Sequence, residues 1–184
     1  MDIVSAIVNR SSPAQLVDPS PSDDQFEQIL LAAVSAPDHA RLRPWRFVVI
    51  KGDARLRFGE LMAQSLKRRE PGAAEDRLEA ERKKALRAPL IVIIAAAIQE
   101  NPKVPGVEQI LAAGAAAQNM MIAAEALGFG ILWRTGPVAY DEAVKAAFGL
   151  AEADAIVGIM YIGTVAMLGK PRPALDIVSV TRYW

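Results

Sequence analysis

The sequence predicts one domain in which helices and strands share a core, and three observations carry that expectation. Val107–Leu127 is built largely from Ala, Leu, Met, Glu and Gln, which are strong helix formers, and it breaks at Gly128, a residue suited to the left-handed position past a helix end. Pro89–Ala97 is a continuous apolar run, the pattern of a strand covered on both faces. Arg46–Ile50, Ile131–Arg134 and Ala155–Ile162 are further runs of strand character set between helical patterns.

Composition narrows the chemistry. A length of 184 residues suits a single domain spanning 1–184, large enough to fold on its own core. Lys plus Arg and Asp plus Glu both number 21, and a neutral chain is poorly suited to non-specific nucleic-acid binding, which rests on phosphate neutralisation. There is no Cys, so thiol chemistry, Cys-ligated zinc, iron–sulfur clusters and disulfides are excluded. A single His excludes a multi-histidine metal site, and no metal is expected. Met1–Val4 is acidic and precedes no signal-like apolar run, so a cytoplasmic protein is expected. If the chain is an enzyme, its chemistry belongs to a bound cofactor.

Asp2–Val8 reads as a short helix, with Asp2 at its positive end. Asn9–Pro13 follows, offering the Arg10 guanidinium and the Ser11 and Ser12 hydroxyls, a set suited either to a phosphate or to a solvated turn with a serine cap. Pro19–Ser20–Pro21 is linker-like. Ser22 with Gln25 forms a capping box, and Phe26, Ile29, Leu30 and Ala33 place one apolar face on a helix ending near Ser35. Ala36–Trp45 is an irregular, proline-bounded loop with the only His, His39, beside Arg41 and Arg43. His39 there is either a structural hydrogen-bonder or a ligand contact; no G-x-S-x-G turn exists to supply a serine for a triad.

After the Arg46–Ile50 strand, Gly52–Asp53 turns into a helix with Phe58, Leu61, Met62 and Ser65 on one side. Lys67–Arg87 is densely charged and reads as a solvated helix face, with Glu79 and Lys83 at favourable spacing, or as a mobile cover over a pocket. Gln99–Gly106 is a polar loop. The helix beyond it carries apolar residues on almost every side and is expected to be buried all round. Gln118, Asn119 and Glu125 interrupt it, so its apolar runs fall short of the roughly 20 residues a bilayer crossing needs. Its Ala and Gly faces suit a core helix that also packs on a partner subunit or a flat cofactor.

Gly128-x-Gly130 is not a dinucleotide fingerprint, because the third glycine is missing and the order is helix to strand. Trp133-Arg134-Thr135-Gly136 closes the next strand, either as a seat for an aromatic ring with polar edges or as a plain strand end with a turn. Asp141–Phe148 is a short helix stopped by Gly149. Lys170–Pro173 is too proline-rich for regular structure, and Ile177–Thr181 has strand propensity, expected to pair with the same sheet or cross to another subunit.

Taken together, several segments resemble the FMN-dependent nitroreductase family, in its small single-domain branch: Asn9–Ser12, Ala36-Pro37 through Pro44–Phe47, Ala113-Gly114 through Gln118-Asn119, Leu127–Gly130, Trp133–Gly136 and Tyr161–Gly163. The resemblance implies an α+β fold, a mixed or antiparallel sheet sandwiched by helices. It also implies a homodimer with FMN at each subunit interface, in which the C-terminal tail has the option of exchanging between subunits. Arg10, Ser11 and Ser12 would contact the FMN phosphate and ribityl chain. Trp133, Arg134, Thr135 and Gly136 would line the flavin, and Ser35 and His39 would reach the flavin of the partner. Where relatives carry Arg-Arg-Ser-x-Arg, this chain has Ser11 and Ala14 in place of the second and last Arg, leaving phosphate charge to Arg10 with Lys170 or Arg172. Arg41 stands where many relatives carry Asn.

The activity so implied is ping-pong transfer from NADH or NADPH through FMN to a nitroaromatic, a quinone or another electron-poor small molecule. Arg134 and backbone N–H groups are the candidates for stabilising charge at the reduced ring, and no protein acid or base is assigned. The rival readings are a flavin-binding or structural dimer without turnover and a cofactor-free interaction module.

Overall fold

The computed structural model describes residues 3–170 and 176–184; Asp2 and the Pro171–Pro173 part of the tail lie outside the described residues. The sheet has five strands: β1 (Gln15–Val17), β2 (Trp45–Lys51), β3 (Leu90–Ala96), β4 (Gly130–Arg134) and β5 (Ala155–Met167), in the order β1-β5-β3-β2 with β4 also on β5. Every pairing is antiparallel. The 13-residue β5 is the spine, and its length lets three strands share it.

β3 is buried at all seven positions, as its unbroken apolar run predicts. Alternation divides those side chains between two cores. Leu90, Val92, Ile94 and Ala96 join Ile29, Ala33 and the inner face of α5 (Gly106–Ala126). Ile91, Ile93 and Ala95 join Phe58 and Met62 of α3 (Ala54–Arg69) and Val144 of α6 (Glu142–Ala147). The sheet is thus sandwiched by α2 (Asp23–Val34) with α5 on one face and α3 with α6 on the other. The capping box forms: Gln25 N–H donates to Ser22 Oγ at 3.3 Å and Ser22 N–H to Gln25 Oε1 at 3.0 Å. Gly128 takes φ +87° just past α5, as its place after the helix requires.

Two expectations need correction, and one strand is new. α5 is not buried all round within the chain: Gln109, Ala112, Ala113, Ala116, Ala117, Met120 and Ala124 form a buried stripe, while Val107, Ile110 and Leu111 are 61%, 37% and 66% exposed on the other side. One layer of the sandwich can cover only one face of a helix. Ile177–Thr181 is no strand; Val178–Val180 is a single 3-10 turn held by Val178 N–H to Asp176 Oδ1 and Thr181 Oγ1 to Ile177 O, local bonds that serve where no sheet edge is paired. β1 was not expected, being only three residues long with only Leu16 buried.

The charged Lys67–Arg87 segment is two packed helices. α3 runs through Arg69, and α4 (Glu75–Lys84) lies back on it. A Cβ on Gly59 would lie 2.6 Å from the Arg82 carbonyl, so glycine lets the two backbones meet. Arg82 ties them, Nε donating to Glu60 of α3 at 2.8 Å, while Nη1 donates within α4 to Glu75 at 2.6 Å. Glu79 and Lys83 do pair, at 3.8 Å. No helix among the described residues is long and apolar enough to cross a membrane.

Candidate functional site

The loop after α1 (Ile3–Asn9) is seated by backbone contacts. Arg10 N–H closes the last turn on Ala6 O at 3.1 Å, and Ala14 N–H donates to Met167 O at 2.9 Å. Gly130 permits this seat: a Cβ there would meet Val165, Leu16 and Pro13 side chains at 2.5, 3.1 and 3.1 Å. Arg10 and Ser11 face a cavity of about 230 Å³ whose other walls include Met121, Glu125, Phe129 and Leu168. Ser12 is exposed, and a Cβ on Gly169 would lie 1.9 Å from its carbonyl oxygen. That close approach brings Lys170 beside the Arg10–Ser12 loop. Arg172 lies outside the described residues.

From Gly130 the edge strand β4 runs about 13 Å to Arg134 at the usual rise per residue. A groove of about 470 Å³ follows it, lined by Pro13 and Leu16 and by Leu132, Arg87 and Arg134. Pro13 also walls the first cavity, while Arg87 and Arg134 also wall a third, of about 230 Å³, between α3, α4 and the Arg134–Pro137 turn. The structure therefore brings Arg10 and Ser11 together with Arg134, Thr135 and Gly136 along one continuous surface. Gly136 has φ +115°, and no neighbouring atom within 4 Å would meet a Cβ there, so the turn presents bare backbone to an approaching molecule.

Trp133 points the other way. Alternation along β4 sends Ile131 and Trp133 into the core beneath α5, and Leu132 into the core beneath α3. The indole Nε1 donates to Val157 O at 3.2 Å, and the ring lies across Gly158, where a Cβ would be 2.4 Å from Nε1. The Trp133 side chain is thus engaged in packing.

Ser35 and His39 lie elsewhere. Ser35 caps α2 and its Oγ donates to Leu31 O at 2.8 Å. His39 Nδ1 donates to Glu108 Oε2 at 2.6 Å. A carboxylate only accepts, so Nδ1 carries the proton and Nε2 is left for another partner. Glu108 begins α5 and Glu125, beside Arg10, ends it. At 1.5 Å per residue about 25 Å of helix separates them, so one chain does not unite His39 with Arg10. The His39 loop is strained, with Ala40, Arg41 and Arg43 at φ +59°, +56° and +50°, held in part by Arg43 N–H to Asp38 Oδ2 at 2.6 Å.

Sequence reasoning placed Tyr161 in a family-like segment and Arg87 at the end of a charged one, but gave neither a role in the site. Tyr161 is 2% exposed beneath the third cavity, and burial pushes its phenol above the ordinary range against the opposing charges of Arg87 and Arg134. The reading of Lys67–Arg87 as a cover over a pocket would have reached Arg87, since Arg69, Glu70, Arg77, Glu81 and Lys84 wall the same cavity.

Comparison with known proteins bears on the fold and the family. The model described as "Nitroreductase family" matches residues 7–164. The chain is 40% identical over 183 residues to the Escherichia coli K12 protein named "Putative NAD(P)H nitroreductase YdjA", covering 100% of this chain and 98% of that one. It is 34% identical to a "Putative NAD(P)H nitroreductase" of Haemophilus influenzae, over 89% of each chain. Among solved structures, a nitroreductase-like family protein of Bacillus cereus superposes with TM-score 0.88 at 22% identity, over 100% of this chain and 96% of that one. One from Desulfovibrio desulfuricans, described as a "putative nitroreductase in complex with fmn", superposes at 0.75 with 24% identity, over 100% and 98%. An antiparallel sheet between two helical layers, a cation-and-hydroxyl loop at one end of an edge strand and full-length likeness to the YdjA-type proteins lead to one conclusion: the chain belongs to the nitroreductase family of oxidoreductases.

Proposed function

We propose that this chain is a homodimeric, FMN-dependent NAD(P)H oxidoreductase that reduces nitroaromatics, quinones or similar electron-poor small molecules by a ping-pong mechanism, in one domain spanning residues 1–184. The observation that carries the reading is the continuous surface from Arg10 and Ser11 along β4 to Arg134–Gly136, beside a helix face left bare. Its donor set fits FMN. A guanidinium and hydroxyls with Lys170 nearby suit the phosphate; about 13 Å of open strand edge suits the ribityl chain and ring; the bare Gly136 backbone suits a flat face.

FMN, when bound, supplies the hydride chemistry with NADH or NADPH as reductant. The chain's residues bind and orient. Arg10 with Ser11 and Ser12 anchors the phosphate, and the Arg134 charge and the Thr135–Gly136 backbone face the ring. Trp133 holds β4 in place from behind through Val157 and Gly158. Ser35 and His39 act on the cofactor of the other subunit. The 25 Å separation along α5 and the exposed Val107, Ile110 and Leu111 support that assembly, because a contiguous apolar face is what a second copy covers. Cavities of about 230 Å³ are also small for a complete ligand site and suit one that a partner closes. Exposed Tyr183 and Trp184 support an exchanged tail.

The test is the visible absorption spectrum of the purified protein before and after anaerobic NADPH. A flavin spectrum that bleaches, and returns on adding a nitroaromatic or quinone, is expected. A colourless protein that ignores added FMN, or a flavin that does not bleach, overturns the reading.

A further inference from the structure

The third cavity holds more charge than the structure around it uses. Five cations wall it, Arg69, Arg77, Lys84, Arg87 and Arg134, against two carboxylates, Glu70 and Glu81. Both carboxylates are spent: Glu70 pairs with Arg77 and Glu81 with Lys84. The Arg87 and Arg134 guanidiniums, both exposed, have no hydrogen-bond or ion-pair partner among the described residues. Beneath them Tyr161 is 2% exposed, and its hydroxyl also has no hydrogen-bond partner among the described residues. The ring is buried, but the hydroxyl is not shut away from the cavity, so it is available to bond to whatever occupies the cleft. Burial raises the phenol further against the opposing charges of Arg87 and Arg134, and its protonated hydroxyl can donate to an acceptor in the cleft. Tyr161 is held there by β5, opposite Ile91 on one side and Leu132 on the other, so the group is fixed rather than flexible.

We propose that this cleft is a subsite for the oxyanion of a substrate, a carboxylate or a phosphate, bound by the Tyr161 hydroxyl together with the Arg87 and Arg134 guanidiniums. Arg134 stands between the cleft and the groove along β4, so an anion held here would place the rest of its molecule over the Arg134–Gly136 turn. The proposal rests on the reductase reading for the identity of that molecule, but not for the binding of the anion. Two substrates could bring the oxyanion: an electron acceptor bearing a carboxylate, or the reductant through the 2′-phosphate that separates NADPH from NADH.

The experiment has two parts. First, benzoate and inorganic phosphate are titrated into the purified protein, read as a shift in melting temperature and as a dissociation constant by calorimetry, for the unaltered chain, Tyr161→Phe and Arg87→Gln. Phenylalanine keeps the packing of Tyr161 and removes only the hydroxyl; Arg87 is exposed, so its replacement leaves the core alone. Each variant is expected to weaken the better-bound probe about tenfold, as loss of a hydrogen bond to a charged group does. No binding to the unaltered chain, equal binding in the variants, or binding that saturating FMN abolishes would overturn the subsite, the last by making the cleft part of the flavin's own seat. Second, the ratio of kcat/KM for 4-nitrobenzoate over 4-nitrobenzamide, and for NADPH over NADH, is measured. A fall of about tenfold in the first ratio in both variants assigns the oxyanion to the acceptor, and a fall in the second assigns it to the reductant. Both ratios unchanged would overturn the proposal. A chain that binds benzoate but turns over no substrate would instead overturn the reductase reading and leave the anion site standing.

Discussion

Trp133 shows how a side chain that looks like a ligand contact can be a packing group. Trp133 closes a strand beside Arg134, Thr135 and Gly136, and its sequence neighbourhood suggests ring stacking. Its indole is set against Gly158, with no room between them for a methyl group. Gly158→Ala is expected to destabilise the fold by roughly 1–3 kcal/mol through overpacking, and Trp133→Ala by about 3 kcal/mol through lost packing and the lost bond to Val157. The double variant should cost clearly less than the sum, because the clash needs both partners. Urea denaturation of the four proteins checks this; strict additivity would mean that the two side chains do not meet. The same scale explains why Tyr161 and Arg87 were given no role in the site. Both carry ordinary identities for a strand and a charged segment, and only the crossing of β5 beneath α4 makes them neighbours of one cavity.

At the scale of elements, α3 and α4 form the charged wall of the third cavity, and Asp141 pins α3 to α6 behind it. It caps α6 by accepting from the Ala143 and Val144 N–H groups at 2.9 and 3.3 Å, and it accepts from Arg68 Nη2 of α3 at 2.8 Å. Burial alone would raise its carboxyl, but the neighbouring Ser65 hydroxyl, the Arg68 guanidinium and the Ala143 N–H outweigh burial and hold it below its ordinary value near 3.8. A carboxyl lowered in the folded state binds its proton later than in the unfolded chain. Its contribution is therefore complete above the ordinary value and lost as pH falls from there through the folded value. Asp141→Asn should lower stability near neutrality by about 1 kcal/mol and flatten the acid limb below about pH 4, measured as melting temperature against pH. An unchanged acid limb would show that Asp141 is not a group that senses that range. The charged Lys67–Arg87 segment was legible as helical and solvated because its spacing and composition are local properties. Its fold into two helices depends on Gly59 meeting the Arg82 carbonyl, which lies 23 residues away by their numbers and cannot be read from either residue alone.

For the whole molecule, the bare face of α5 is the decisive feature. Val107, Ile110 and Leu111 are exposed on it, and α1, which packs on α5, exposes Ile3, Val4 and Val8 at 65%, 62% and 63%. Leu111→Glu places a charge on that face without touching the buried stripe. It is expected to give a monomer by sedimentation velocity and to lower bound flavin at least about tenfold, since burying an unpaired charge at an interface costs several kcal/mol. A folded monomer that keeps its full complement of flavin would remove Ser35 and His39 from the cofactor site. Arg10 and Ser11 belong to the same chain's cavity, so their contribution should survive in that monomer.

Local order was open to the sequence. The unbroken apolar run of β3, the Ser22–Gln25 capping box, the stop of α5 at Gly128 and the motif positions of Arg10–Ser12 and Trp133–Gly136 all rest on spacings of a few residues, where propensity and capping act directly. Those spacings sufficed for most of the helix-and-strand content and the likeness to the nitroreductase family, and they pointed to the loops proposed to carry the site. Tertiary structure alone decided which faces are covered and which side chains meet. It turned Trp133 inward, set Tyr161 beneath Arg87 and Arg134, left one side of α5 bare, made Ile177–Thr181 a turn and held His39 a helix length from Arg10. The reason is that burial and proximity are properties of pairs distant in the chain. An apolar pattern reports that a face will be covered, but not whether its own sheet or another molecule covers it.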